Sequence, residues 1–410
     1  MIVAQSATGR AATLRAMQNK TQNLSAPAAR MHDISPFHVM ELMGRAKALE
    51  QQGHDIVHME VGEPDFPTSA PVIAAAQAQL ASGNVFYTHA LGLSELRSAI
   101  SDYYRSRYDA DVPAERIVIT TGASGALLLA LGVLVDRDSE WLLPDPAYPC
   151  NANFLRLLEG KAQRIAVDAS TRYQPTPQMI DAHWHSNTRG LLLASPANPS
   201  GTLLSHAELQ ALHQAVQAHQ GHLIVDEIYH GLTYGCDASS ATTVSDDIFV
   251  LNSFSKYFGM TGWRLGWLVV PPAYVREVEK LAQNLFISPP TLSQYAALAA
   301  LAPENIAILE ARREAFAARR SVLLQGLRAL GFGIDCEPTG AFYIYARLNG
   351  LAHNSFDFAM RLLQEAHVAV TPGIDFGQHG AVEHVRFAYT TDIPRLEEGL
   401  RRIAHYLSNQ

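Results

Sequence analysis

The residues best suited to chemistry stand together in Ser253-Phe254-Ser255-Lys256-Tyr257-Phe258-Gly259-Met260-Thr261-Gly262-Trp263-Arg264. Apolar runs at 248–251 and 265–270 flank the string, and each reads as a short buried strand. A lysine held between bulky apolar neighbours is driven toward the neutral amine, which adds to a carbonyl carbon to form an imine. Ser253 and Ser255 before it, and Arg264 after it, offer the hydroxyl and guanidinium donors that a phosphate monoester needs. Gly259 and Gly262 let the backbone turn sharply between them.

Further polar candidates follow other apolar runs, at the strand ends where doubly wound sheets bind ligands. Thr120-Thr121-Gly122-Ala123-Ser124-Gly125 opens an apolar helix, and free N–H groups at a helix N-terminus attract an anion. Taken alone it is equally an ordinary turn and cap. In Asp145-Pro146-Ala147-Tyr148-Pro149, proline on both sides makes a rigid turn able to hold Tyr148 flat against an aromatic ring, unless the tyrosine simply fills the core. The prolines of Ser195-Pro196-Ala197-Asn198-Pro199-Ser200-Gly201 aim the Asn198 amide in one direction; a plain turn asparagine is the other reading. Asp226 comes directly after Leu223-Ile224-Val225, where an unpaired carboxylate is costly and a cationic partner is expected. Arg386, inside His384-Val385-Arg386-Phe387-Ala388, needs an anion: a planar carboxylate, or a structural salt bridge.

The elements that position these residues alternate. Short apolar runs at 56–61, 116–120, 141–143, 191–194, 223–225, 248–251 and 265–270 are separated by helical patterns at 71–82, 92–107, 124–135 and 205–219. Strands alternating with helices predict an α/β fold with a mostly parallel, doubly wound sheet covered on both faces. Long helical segments follow Pro289-Pro290, at 292–301 and 306–330, and then strands near 342–346 and 384–388. At 410 residues the chain suggests two domains. Residues 61–303 form the larger one, and residues 304–410, joined by 31–60, form a smaller α+β domain. Residues 1–30 hold Arg10, Arg15, Lys20 and Arg30 but no acid, and read as a disordered or extended arm with Met31 close to the start of the fold. Ser35 and Pro36 then cap and open a helix carrying an apolar stripe of Val39, Leu42, Met43, Ala46 and Leu49, which stops near Gly53.

Taken together these strings resemble the class I/II aminotransferases, the aspartate-aminotransferase-like branch of the fold type I pyridoxal-phosphate enzymes, over about residues 34–405 and in the family's order. The resemblance implies pyridoxal 5'-phosphate carried on Lys256 as a Schiff base, with its phosphate held by Gly122, Ala123, Ser124, Ser253, Ser255 and Arg264. It implies Tyr148 over the pyridine ring, Asn198 and Tyr229 on the ring oxygen, and Asp226 on the ring nitrogen. It also implies that Tyr229 lowers the imine pKa, and that Asn198 and Arg386 bind the substrate, Arg386 at its α-carboxylate. Val61-Gly62-Glu63-Pro64-Asp65-Phe66 is similar to the family's segment at the site entrance, which puts Gly62 beside the substrate. Tyr87-Thr88-His89-Ala90-Leu91-Gly92 matches the block whose tyrosine reaches the neighbouring subunit's phosphate, and so implies a homodimer. The implied reaction moves an amino group from an amino acid to a 2-oxo acid in ping-pong fashion, with Lys256 as the proton carrier.

Departures lie at specificity positions. Ser124 stands where some relatives that take dicarboxylic amino acids have a lysine, and Gln283 or Asn284 where others have an arginine. Both favour neutral or aromatic side chains over acidic ones, with Phe37 near the pocket. A C–S β-lyase is the nearest alternative, and the effector domain of a transcription regulator a remote one. A formal charge of -8 offers no basic face to nucleic acid or an anionic membrane, and no apolar run has membrane-spanning length. Three separated cysteines without a CxxC pair suit a reducing cytoplasm. His183, His185, His213, His219 and His222 lack Cys or carboxylate partners at ligand spacing and read as surface histidines, with no metal expected.

Overall fold

The apolar runs assemble into one seven-stranded sheet. In chain order its strands are β2 (Ile117–Thr120), β3 (Glu140–Asp145), β4 (Lys161–Ala166), β5 (Thr188–Ala194), β6 (His222–Asp226), β7 (Phe249–Ser253) and β8 (Gly266–Val269), and their spatial order is β2-β8-β7-β6-β5-β3-β4. Pairings from β4 through β3, β5 and β6 to β7 are parallel, whereas β8 runs antiparallel to both of its neighbours. The computed structural model describes residues 26–34 and 38–409. Residues 1–25 of the arm, the helix opening at Ser35 and Pro36, and Phe37 lie outside the described residues. The chain divides into two units, 1–35 and 36–410. In the first, Ala29–His32 forms a single 3-10 turn with Met31 exposed.

Period-two alternation in the strands explains why helices cover both faces. Ile117, Ile119, Leu191, Leu193 and Val225 join one buried cluster, while Val118, Leu192 and Ile224 join the other. The second cluster is closed by α4 (Gly122–Leu134) and α8 (Val275–Leu285). Other helices are α1 (His38–Gln51), α2 (Ala70–Ser82), α3 (Ser94–Tyr108), α5 (Cys150–Leu157), α6 (Pro177–His183) and α7 (His206–Ala218). After α8 come α9 (Thr291–Ala300), the 27-residue α10 (Pro303–Ala329), α11 (Ser355–Arg361) and α12 (Ile393–Ser408).

Two smaller sheets lie outside the large one. β9 (Tyr343–Arg347), β11 (Thr371–Pro372) and β12 (His384–Ala388) pair antiparallel in the order β11-β12-β9, and β1 (Val57–His58) pairs parallel with β10 (Val368–Ala369). The strand expected over 56–61 is therefore only two residues long. Past it the backbone stays engaged, with Met59 N–H donating to Ala369 O and Ala388 N–H donating to Met59 O. β4 has no counterpart among the expected runs, because as an edge strand it leaves most of its length partly exposed and carries little apolar signal. Among the described residues no helix is long and apolar enough to cross a membrane.

One reading of the histidines is corrected here. His213 is buried on α7, where the 3.6-residue period places it beside Leu209, Leu212 and Val216. His219 instead pairs with Asp181 at 2.8 Å and stacks on Trp184. Among the described residues no cluster of His, Cys, Asp or Glu is arranged to hold a metal ion.

Candidate active site

The carboxyl ends of β5, β6 and β7 and the start of α4 open onto a cavity of about 330 Å³, closed from the far side by α1, β9 and β12. Its wall includes Gly62, Ala123, Ser124, Tyr148, Asn198, Asp226, Tyr229, Ser255, Lys256, Arg264 and Arg386. The sheet does this work because residues directly after parallel strands all emerge on one edge.

Lys256 follows β7 and is enclosed except toward the cavity. Its Nζ donates to the Gly62 carbonyl at 2.5 Å. Burial, then the nearby positive charge of Arg386, lowers its pKa to about 8. Asp226, at the end of β6, shows the opposite response. Burial raises its carboxyl to about 7, against the N–H of Ile228 that donates to it at 2.9 Å and the attraction of Lys256. Among the described residues no cation lies within ion-pair distance of Asp226, so its negative form lacks a cationic partner.

An anion cradle forms where α4 begins. Gly122 has φ +69°, and a Cβ there would lie 2.6 Å from the Nη2 of Arg264. Glycine thus lets the guanidinium reach the helix N-terminus, whose free N–H groups and dipole add positive potential. Arg264 has itself a left-handed backbone, φ +52°, which turns its side chain back toward that point, and its Nη1 donates to Thr261 O at 3.0 Å. Ser255 lines the cavity; Ser253 lies behind it, its Oγ 2.9 Å from Ser255 Oγ and 3.1 Å from Leu265 O.

Arg386 on β12 is buried. Nη1 donates to Asn198 Oδ1 at 2.9 Å, and Nη2 donates to Glu60 O at 2.8 Å and Thr371 Oγ1 at 3.3 Å. Nε has no hydrogen-bond partner, and no carboxylate pairs with the guanidinium among the described residues. The salt-bridge alternative therefore finds no support.

Three expected residues stand apart. Tyr87 is 80% exposed and does not line this chain's cavity; it continues an exposed apolar run with Val85 and Phe86. Gln283 and Asn284 bond within α8, to Glu279 and to the Lys280 carbonyl, away from the cavity wall. Sequence reasoning missed Tyr343 on β9, whose hydroxyl lies 3.0 Å from that of Tyr229 and whose ring lies 4.0 Å from the Arg386 guanidinium carbon. The clue was Phe342-Tyr343 within a recognised strand, but alternation alone does not say which face meets a site. It also missed the wall formed by Val39, Met40 and Met43 of α1 with Leu127 and Phe154. In the sequence Val39 and Met43 read only as parts of a core stripe.

Residues 54–403 match the family described as aminotransferase class I and II. A valine–pyruvate aminotransferase of Mycobacterium tuberculosis is 40% identical over 379 residues, 92% of this chain and 97% of that protein. An aspartate aminotransferase of Thermotoga maritima is 33% identical over 384 residues, 93% of this chain and 99% of that protein. Among solved structures, an aminotransferase from Mycobacterium tuberculosis superposes with a TM-score of 0.91 at 40% identity, covering 94% of this chain and 100% of that one.

Proposed function

This chain belongs to the class I and II aminotransferases, which depend on pyridoxal 5'-phosphate, and we propose that within that family it moves the amino group of a neutral L-amino acid, aliphatic or aromatic, to a 2-oxo acid. One observation carries the reading. A single cavity holds a buried lysine amine with a lowered pKa and a buried arginine that has no carboxylate of its own.

The residues present fit the cofactor. Asp226 lacks a cationic partner, the Gly122 turn leaves room for Arg264, and Tyr148 stands at the same wall. In this reading Lys256 holds the cofactor covalently, and Gly122, Ala123, Ser124, Ser255 and Arg264 hold its phosphate, with Ser253 fixing the Ser255 hydroxyl. Tyr148 covers the ring face, Asn198 and Tyr229 address the ring oxygen, and Asp226 pairs with the ring nitrogen. Bound pyridoxal phosphate supplies a carbonyl carbon for amine exchange and an electron-withdrawing ring. Arg386 grips the substrate α-carboxylate with its two-pronged donors, while Gly62 leaves space beside it. Once a substrate amine displaces it from the cofactor's carbonyl carbon, Lys256 Nζ, an amine whose pKa burial lowers to about 8, would be free to take the proton from the substrate Cα as general base.

The substrate side chain meets Val39, Met40, Met43, Leu127 and Phe154, an apolar wall that favours neutral groups by burial and leaves a carboxylate without a dedicated cation. The valine–pyruvate name of the mycobacterial relative agrees with this, and the aspartate name of the Thermotoga relative is the competing assignment. Functionally, residues 61–303 carry the cofactor with Leu127 and Phe154, while 31–60 and 304–410 bring Val39, Met40, Met43 and Arg386. A second copy of the chain covers the exposed Val85, Phe86 and Tyr87, with Tyr87 serving the partner's site, in a cytoplasmic homodimer.

The test is an absorbance spectrum of the holoenzyme before and after single amino acids are added without acceptor. Valine, alanine, methionine or phenylalanine should bleach the cofactor's visible band with higher kcat/KM than aspartate in the matching steady-state assay. A preference for aspartate overturns the side-chain reading, and pyruvate and ammonia released without any 2-oxo acid point to β-lyase chemistry instead.

A further inference from the structure

Tyr343 touches Arg386, Tyr229 and Gly62. Its ring lies under Arg386 and its hydroxyl is 3.0 Å from that of Tyr229. The same hydroxyl occupies the space where a Cβ at Gly62 would stand, and the Gly62 carbonyl accepts from Lys256. Both phenols are buried, and burial raises both pKa values, so each keeps its proton.

Two phenols hold two protons, and the hydrogen bond between them uses one. Among the described residues Tyr229 and Tyr343 have no hydrogen-bond partner other than each other, and Tyr343 Oη abuts the Cα side of Gly62. Either hydroxyl can donate, and either way one proton is left over; left on Tyr343 it meets only the Cα side of Gly62, whereas the cofactor placement proposed above offers a ring oxygen to one left on Tyr229. If Tyr343 donates to Tyr229, the remaining proton belongs to Tyr229, beside the end of β6 and Asp226. Hydrogen bonds in such a chain strengthen one another.

We propose that Tyr343 is a positioning residue that acts through Tyr229: its hydroxyl donates to the Tyr229 oxygen, aims the Tyr229 proton at the cofactor's ring oxygen, and so sets the pH at which the bound cofactor's visible band titrates. This rests on the cofactor placement proposed above. Stronger donation to the ring oxygen draws negative charge from the nitrogen joined to Lys256 and lowers its proton affinity, so losing the Tyr343 hydroxyl raises the titration pH.

The experiment is a spectrophotometric pH titration of substrate-free holoenzyme for the wild type, Tyr343→Phe, Tyr229→Phe and the double variant. Tyr343→Phe keeps the ring beneath Arg386 and removes only the hydroxyl. Its titration pH should rise by roughly 0.5 to 1 unit, and that of Tyr229→Phe by more. Because the two hydroxyls act as one chain, the double variant should titrate with Tyr229→Phe alone, within roughly 0.2 unit. An unmoved titration with a raised KM would make Tyr343 merely a support for Arg386, and additive shifts would make the hydroxyls independent; either result overturns the proposal. A wild-type holoenzyme without a titrating band would overturn the cofactor placement as well, which separates the two failures.

Discussion

Arg386 and Asn198 are joined by a hydrogen bond of 2.9 Å from Nη1 to Oδ1, linking β12 to the loop that closes β5. The guanidinium is thereby held at the cavity wall, with Nε buried and unpartnered. Lysine at 386 would keep the charge but lose the planar pair of donors. Arg386→Lys should therefore lower kcat/KM for amino acid and 2-oxo acid alike by roughly 10² to 10³, mainly through KM, which corresponds to a few kcal/mol for a charged bidentate contact. The visible band of the bound cofactor should persist. Wild-type KM values in the variant would remove Arg386 from the substrate-binding role.

Asp226 predicts an inverted pH dependence for the cofactor-free protein. Its folded pKa, about 7, lies above its ordinary value of 3.8, so the folded state binds more protons than the unfolded state between those values. Stability must then fall as pH rises from about 4 to 7 and stay lowered above that. Glu227, raised to about 8 by burial, acts in the same sense, whereas Lys256, lowered to about 8, changes stability only at higher pH. Asp226→Asn removes the buried charge. The apo variant should exceed apo wild type in stability by about 2 to 4 kcal/mol at pH 8, and by roughly two fifths of that at pH 5. Denaturant melts at the two pH values measure this. Equal gains at both would mean that the side chain's shape, not its charge, is responsible.

Much of this was legible in the residues. Lys256, Asp226 and Arg386 each combine a charge with an apolar strand, a pairing that a soluble protein keeps only where something answers the charge. The sheet was equally readable, because strands buried on both faces are almost wholly apolar. Two things were not legible. β4 is an edge strand and lacks the apolar signal, and Val39, Met40 and Met43 face a cavity from a helix whose stripe looks like any core-facing one. Which element lies across a cavity is set by tertiary packing, and no local pattern encodes it.

Gly122 offers a test of the anion cradle. At φ +69° a side chain strains the backbone, and a Cβ would stand 2.6 Å from Arg264 Nη2. Gly122→Ala should push the guanidinium off the helix N-terminus and weaken pyridoxal phosphate binding by roughly 10- to 100-fold, as expected from about 1 to 3 kcal/mol of strain and lost charge-assisted contact. Fluorescence titration of the apoenzyme with the cofactor measures it. Pyridoxal without phosphate is the control, since its weaker binding should change far less. Equal losses for both ligands would place the damage somewhere other than the phosphate.

Asp375 controls the apolar wall from a distance. Its carboxylate accepts from the N–H groups of His38 and Val39 at 2.9 and 2.8 Å, and so ties down the first turn of α1, the helix that carries Val39, Met40 and Met43 to the cavity. Removing a cap of this kind costs about 1 kcal/mol and lets the first turn fray. The chemistry at Lys256 lies elsewhere, so the loss should follow how far a substrate reaches toward α1. Alanine ends short of that wall, whereas methionine and phenylalanine must bury their side chains against it. Asp375→Ala should therefore lower kcat/KM for methionine and phenylalanine by roughly 5- to 10-fold, against less than about 2-fold for alanine, with kcat nearly constant. Asp375→Asn, which keeps one acceptor oxygen for the same N–H groups, should recover most of the difference. A uniform loss across all three amino acids would place α1 outside the side-chain pocket and leave the neutral preference to the walls formed by Leu127 and Phe154.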